Sequence, residues 1–303
     1  MSKTATSFRH RIGNAQDLQS VVRTMKSIAA SSIEQYENSV HSLSDYYRTV
    51  ELGLGVCLRA VESSSPGNGF EDPGELDVNG IIVFGSDQGL VGQFNDRVAD
   101  HVIETLLKLP GNPSVWAVGE RVHARLSELG LSIEGLFQVP DSVLGITSLI
   151  GQIQLATEPA FRAPRARILV FHNRPLAGAA YASSHRQLLP LDNSWRQQLC
   201  ASTWPGIALP ELLGDLDDSL QALIREYLFI SLYQACAESL ASENASRLAA
   251  MERADRNIAE MLESLRLTFN RERQQSIDEE LFDLISGFEA LSQKEHSEEA
   301  SAE

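Results

Sequence analysis

Residues 231–291 read SLYQACAESLASENASRLAAMERADRNIAEMLESLRLTFNRERQQSIDEELFDLISGFEAL. No proline occurs from Glu211 to the end, and the only glycines there are Gly214 and Gly287. With neither breaker inside it, the stretch predicts one very long helix. Ala235, Ser239, Ser242, Ala245, Ser246, Ala249 and Ala250 keep one face of it narrow, so that a second backbone can approach closely. A helix of about 75 residues is roughly 110 Å long at 1.5 Å per residue. That exceeds any globular core, so the helix requires a partner of similar length.

The first sixty residues supply one. Val22, Ala29, Tyr36, Leu43, Val50 and Cys57 recur every seven positions, and Ile33, Val40, Tyr47, Leu54 and Val61 form a second row. The rows alternate four and three apart, which is the apolar seam of a left-handed coiled coil. Lys26 interrupts it. Helices at opposite ends of one chain predict an antiparallel coiled coil that closes the chain on itself, with Tyr36, Val40 and Leu43 facing the C-terminal helix.

Between them lies different material. SSSPGNGFEDPGELD is rich in turn formers and acids and reads as a linker. NGIIVF, SVWAVG, ARILVFHN and AAYASSHRQLLP read as strands, and Gln93–Leu109, Glu120–Leu129 and Ser142–Thr157 as helices. This alternation predicts a small, mostly parallel, Rossmann-like domain, giving an α/β chain in which such a domain joins the two ends of a long coil. The expected boundaries are 1–62 for the first coil helix, 63–77 for the linker and 78–210 for the α/β domain. Residues 211–290 form the second coil helix, and 291–303 an acidic tail.

Charge and motif spacing exclude several functions. The net charge is −16, and residues 211–303 carry twenty-one acids against eight basic residues, so nucleic acid is not an expected partner. Cys57, Cys200 and Cys236 are too scattered for a metal knuckle, and the histidines form no HExxH or HxxxH group. No apolar run is long enough for a membrane span. The turn GSDQGLVGQFN, Gly85–Asn95, follows a strand and opens a helix, a place where backbone amides can hold phosphate. It carries neither GxxxxGK[ST] nor GxGxxG and no Lys or Arg, so it reads as a tight strand-to-helix turn. Asp87, His172 and His185 have no spacing that joins them into an acid–base set. No cofactor and no metal is expected.

Three segments together resemble the gamma subunit of F-type ATP synthases, the central rotor shaft. RHRIGNAQDLQSVVRTMKSIAASS resembles the family's opening helix through Ile12, Met25, Lys26 and Ala29-Ala30. GSDQGLVGQFN is similar to its SDxGLxGxxN turn. The C-terminal stretch resembles its densest signature, through Ser242-Glu243, Arg247, Ala250-Met251, Ala254, Asn257, Leu265, Asn270 and Arg273-Gln274. The resemblance implies a non-catalytic subunit with no cofactor, which couples ion-driven rotation to the cycling of catalytic subunits. Implied partners are the alpha and beta subunits of the catalytic head, the epsilon subunit and the membrane ion-translocating c-ring. The implied location is peripheral, on the cytoplasmic face of the bacterial inner membrane. Implied subunit-contact residues are Met25, Lys26, Asp87, Arg247, Asn270, Arg273, Gln274 and Asp278.

The chain departs from the family pattern at Ser31-Ser32-Ile33-Glu34, where a basic run is usual, at Gln88, where a basic residue is usual, and at Asp278, where Thr is usual. These departures and the overall acidity suggest a divergent branch, such as an alternative ATPase with its own partner set. The plastid form's regulatory cysteine insertion is missing, which favours a bacterial form. Two other classes fit the bare pattern: a non-rotary coiled-coil scaffold or adaptor, and an enzyme whose α/β domain uses the coil as a dimerisation arm.

Overall fold

The structure, a computed structural model, describes residues 3–64, 78–161, 167–176, 179–206, 208, 210–212 and 214–299. Most of the expected linker and the last residues of the expected acidic tail lie outside these. The elements in chain order are α1 (Lys3–Ser64), β1 (Val78–Phe84), α2 (Phe94–Leu106), β2 (Ser114–Val118), α3 (Glu120–Glu128) and β3 (Ile133–Phe137). There follow α4 (Val143–Phe161), β4 (Arg167–Leu176), β5 (Ala179–Leu189), α5 (Asn193–Ala201) and α6 (Leu216–Glu299). Helix α6 continues beyond residue 290 into the segment expected to be a loose tail. Strand β3 and helix α5 had no counterpart in the sequence reading.

The chain divides into two compact units, residues 28–250 and residues 1–27 with 251–303. The larger unit holds a five-stranded sheet in the order β3-β2-β1-β4-β5. Strands β3, β2, β1 and β4 are parallel, and β5 returns antiparallel along β4 at the edge. Alternation along β1 sends its side chains to two cores. Ile81 and Val83 join Val98, Ala99 and Val102 of α2 and Val122 and Leu126 of α3 on one face.

Ile82 and Phe84 point to the other face. There the larger core gathers Ile146, Ile150 and Ile153 of α4, Leu199 of α5, Tyr36, Val50, Leu54 and Leu58 of α1, and α6 from Tyr227 to Ala241. The two long helices therefore bury their seam against a sheet as well as against each other. Both rows of α1 contribute: Ala29, Tyr36, Val50, Leu54 and Cys57 are buried, and Val40, Leu43 and Tyr47 are half-buried against the same core. Full burial of one such Leu or Ile side chain contributes about 1.5–3 kcal/mol. The helices run antiparallel here, since the facing position on α6 moves backwards along α1: the Tyr46 hydroxyl donates to Glu226 at 2.8 Å, and a Cβ on Gly53 would meet Leu223 at 3.2 Å. The narrow face is buried at Ala235, Ser239, Ser242 and Ser246, and half-buried at Ala245, Ala249 and Ala250.

The smaller unit consists of the first turns of α1 and the second half of α6. Ala15 and Val22 of α1 and Met251, Ile258, Leu262 and Leu265 of α6 are its buried apolar residues among those described. Polar clips set its register. Gln19 Nε2 donates to Asp255 Oδ1 at 3.0 Å, Arg23 Nε donates to the same oxygen at 3.3 Å, and Lys26 Nζ lies 3.3 Å from Glu252. The interruption of the apolar row at Lys26 thus has a charged partner facing it.

Candidate subunit-contact site

The turn after β1 is built from three short-range devices. The Ser86 N–H donates to Asn95 Oδ1 at 3.0 Å, and Asn95 Nδ2 returns a bond to Ser86 Oγ at 2.8 Å. A Cβ on Gly85 would lie 2.3 Å from that of Val122, and one on Gly119, whose φ is +114°, would lie 2.7 Å from the Ser86 carbonyl oxygen. Only glycine fits against the Val122 side chain at the first position and against the Ser86 backbone at the second. Leu90 takes φ 64° and Gly92 φ 59°, so the chain reverses within a few residues before α2 begins.

Asp87 is the clamp of this turn. Its Oδ1 accepts from the Glu120 N–H at 2.9 Å, at the first residue of α3, and its Oδ2 accepts from the Val139 N–H at 2.8 Å, beyond β3. A carboxylate at a helix N-terminus is also favoured by the helix dipole. Both oxygens of this expected contact residue are therefore engaged inside its own domain. The turn is pinned to α6 as well, where Ser246 Oγ donates to the Val91 carbonyl.

Arg247 lies one helical step further along α6. It is mostly buried, with Nη2 donating to Glu243 Oε1 at 2.6 Å and Nη1 donating to Asn244 Oδ1 at 3.3 Å. Burial pushes the Glu243 carboxyl above the usual carboxylate range, Arg247 draws it back, and the charge of Asp87 adds to the rise. Glu243 Oε2 is buried and accepts no hydrogen bond from the described residues. A cavity of about 180 Å³ opens here, lined among others by Tyr36, Asp87, Gln88, Asp141, Glu243 and Arg247. Arg247, an expected subunit-contact residue, is half of a mostly buried pair, and its partner Glu243 belongs to the same signature but was not among the expected contacts. The i,i+4 spacing of Glu243 and Arg247 was the available signal.

The remaining expected contact residues belong to the smaller unit. Met25 and Lys26 are half-buried on α1, and Asn270, Arg273, Gln274 and Asp278 are exposed on α6. Around the last four, α6 presents large apolar side chains to solvent: Leu267, Ile277, Leu281, Phe282, Leu284 and Ile285 are each at least half exposed. The structure thus brings Asp87 and Arg247 to one cavity of the larger unit, and sets Asn270, Arg273, Gln274 and Asp278 along one solvent-facing length of α6.

Asp87, His172 and His185 do not converge. His172 Nε2 lies 2.8 Å from Glu238 on α6, and His185 Nδ1 lies 3.0 Å from His101 Nε2 on α2. Among the described residues no three His, Cys, Asp or Glu side chains are grouped to hold a metal ion. Nor is any described helix long and apolar enough to cross a membrane.

A family model described as ATP synthase matches residues 4–291. The chain belongs to the ATP synthase gamma-chain family. It is 26% identical over 302 residues to the ATP synthase gamma chain of a Nitratiruptor species, covering 94% of this chain and 98% of that one. The gamma chain of Salinibacter ruber is 26% identical over 300 residues, covering 94% and 97%. Among solved structures, the rotor of the Euglena gracilis mitochondrial ATP synthase superposes with a TM-score of 0.56 at 17% identity, covering 90% of this chain and 99% of that one. The Tetrahymena thermophila central stalk and c-ring structure contains a chain matching with a TM-score of 0.53 at 20% identity, covering 77% and 99%. As a member of this gamma-chain family, the protein is a central-stalk subunit of an F-type ATP synthase and not itself catalytic.

Proposed function

We propose that the chain is a rotating shaft whose α6 end is sheathed by the alpha and beta subunits of a catalytic head, and whose α/β unit meets the epsilon subunit and the membrane c-ring. The observation that carries this reading is the exposed length of α6 from Leu267 to Ile285, apolar residues interleaved with Asn270, Arg273, Gln274 and Asp278. Contiguous exposed apolar surface on a helix marks a protein interface. A shaft needs no reactive group. It has to contact several subunits unequally, so that each is held in a different conformation, and turning it exchanges their states.

In this reading the acidic departures, Asp278 above all, belong to a partner set that differs from the usual one. The chain sits peripherally on the cytoplasmic face of a bacterial inner membrane. Arg273, Gln274 and Asp278 engage head subunits directly, while Asp87 fixes the turn after β1 and the Glu243–Arg247 pair fixes the α6 face beside it, and both act through that geometry.

The test is steady-state ATP hydrolysis and ion pumping by complexes of verified subunit composition. The isolated chain should turn over no ATP. Gln274→Leu should lower turnover of the assembled complex several-fold, and Asp278→Thr should change it with the native partners. Parental rates in both variants would remove these residues from the contact. Saturable turnover by the chain alone would overturn the shaft reading.

A further inference from the structure

We propose that the cleft between α2 and the β4–β5 edge of the sheet is a binding site for a small phosphate-bearing molecule, whose oxyanion is held by His101, Lys108, Arg167 and His185. In a chain of net charge −16, this cavity of about 370 Å³ collects two imidazoles, an ammonium and a guanidinium, with Glu104 as the one acid in its lining.

The imidazoles are preorganised. His101 Nε2 and His185 Nδ1 are 3.0 Å apart, so one ring donates to the other. Both rings rest on the buried Phe171, at 5.8 and 5.4 Å between centroids. The guanidinium is oriented too. Arg167 Nε donates to Gln187 Oε1 at 3.1 Å, and Gln187 is itself fixed by donating to the Pro190 carbonyl at 2.8 Å. A planar fork held in this way suits the oxygens of phosphate. A volume of about 370 Å³ exceeds what one oxyanion fills, which leaves room for the rest of a larger phosphate ester.

The charges around the pair favour an anion over a metal cation. Burial holds both imidazoles below the usual histidine range. Lys108 adds to the depression at His101 and Glu104 opposes it, while His101 and Arg167 add to it at His185. The pair is therefore neutral at neutral pH in the empty cleft. An arriving oxyanion reverses that balance and draws a proton onto the pair, so binding and proton uptake are linked. A divalent cation would meet Lys108 and Arg167 in the same lining, and among the described residues no third His, Cys, Asp or Glu is grouped with the two histidines to hold a metal ion.

The test is calorimetric titration of the full chain with sulfate, whose charge is constant from pH 5.5 to 8, at ionic strength matched with chloride. Sulfate should bind saturably, and its Kd should weaken by about tenfold per pH unit above the pKa of the pair, as expected for one linked proton. His185→Gln should weaken binding about tenfold and flatten the pH dependence. Lys108→Gln should weaken it several-fold and keep the slope. Glu104→Gln should tighten it several-fold, a sign that a merely structural role does not give. Melting curves of the variants check that the fold is retained. Phosphate, pyrophosphate and ATP as further probes identify the source of the oxyanion, the tightest being the class bound. Absence of saturable heat, an unchanged slope in His185→Gln, or zinc binding more tightly than every oxyanion would overturn the proposal. None of these readouts involves ATP turnover by the complex, so their failure would leave the shaft reading in place.

Discussion

The same two helices are held by different forces in the two units. In the larger unit α1 and α6 lie on a sheet, and Leu54, Leu58, Ile230, Leu232 and Ala237 are almost fully removed from water. Among the described residues the smaller unit has no sheet. The helices meet through Ala15, Val22, Met251, Ile258, Leu262 and Leu265 and through the clips of Asp255 and Glu252, and much of the α6 surface remains apolar and open. The coil therefore buries more of its apolar surface where it lies on a second layer than where the two helices have only each other.

The strongest way to break this contrast is a cavity beneath the coil. Leu54 is wholly buried, so Leu54→Ala should lower stability by about 3 kcal/mol, read from chemical denaturation of the larger unit. A loss under about 0.5 kcal/mol would mean that α1 is a surface arm there. Asp87→Ala should cost about 2 kcal/mol by the same measurement, because two backbone amides lose their acceptor at once.

An alkaline titration sharpens the contrast further. Burial, then the charge of Glu243, pushes the Tyr36 phenol up to about 12. An unfolded tyrosine titrates near ~10. The folded state therefore favours the neutral phenol, a contribution fully present below pH ~10 and lost as pH rises towards 12, on the order of 2 kcal/mol. Tyr36→Phe should blunt the loss of the larger unit's stability over that window, and an unchanged alkaline midpoint would remove Tyr36 as its source.

The smaller unit should answer to acid and salt instead. Its Asp255 carboxyl is lowered chiefly by the hydrogen bond from Gln19, with help from Arg23 and Lys26. That contribution is present above the ordinary aspartate range and disappears as pH falls through the lowered value. Since both side chains of the Lys26–Glu252 pair are more than a third open to solvent, Lys26→Ala should change stability by less than about 0.5 kcal/mol, and that small change should vanish in molar salt. Hydrogen exchange over 12–27 and 251–265 would measure it.

The coil was legible because burial follows its seven-residue period: Val22, Ala29, Tyr36, Val50 and Cys57 are all buried, as their spacing requires. The parallel strands were legible as short unbroken apolar runs. Strand β3, IEGLF, was not, since it alternates half-buried and exposed residues around Gly135 and has no such run. Helix α5 is nine residues long and carries only Leu199 as a buried side chain, too little periodicity to detect.

The sites were harder still. The amides that hold Asp87 belong to residues 33 and 52 positions away, and His101 meets His185 across 84. No local pattern encodes such meetings. Family signatures located Arg247, but only coordinates place its guanidinium against Glu243.

The closing of one core by the first and last helices also affects how the protein is made. Tyr46 and Glu226 are 180 residues apart, and Gln19 and Asp255 are 236. At about 5–20 residues per second of synthesis, the apolar rows of α1 wait on the order of ten to forty seconds for the helix that covers them. During that interval Tyr36, Val50 and Leu54 have neither their helical partner nor, at first, their sheet. Contacts so distant in sequence also slow the final closure. A nascent chain stalled before Leu216 should therefore expose an amphipathic helix to holding chaperones or to other nascent chains, and release past α6 should abolish that binding.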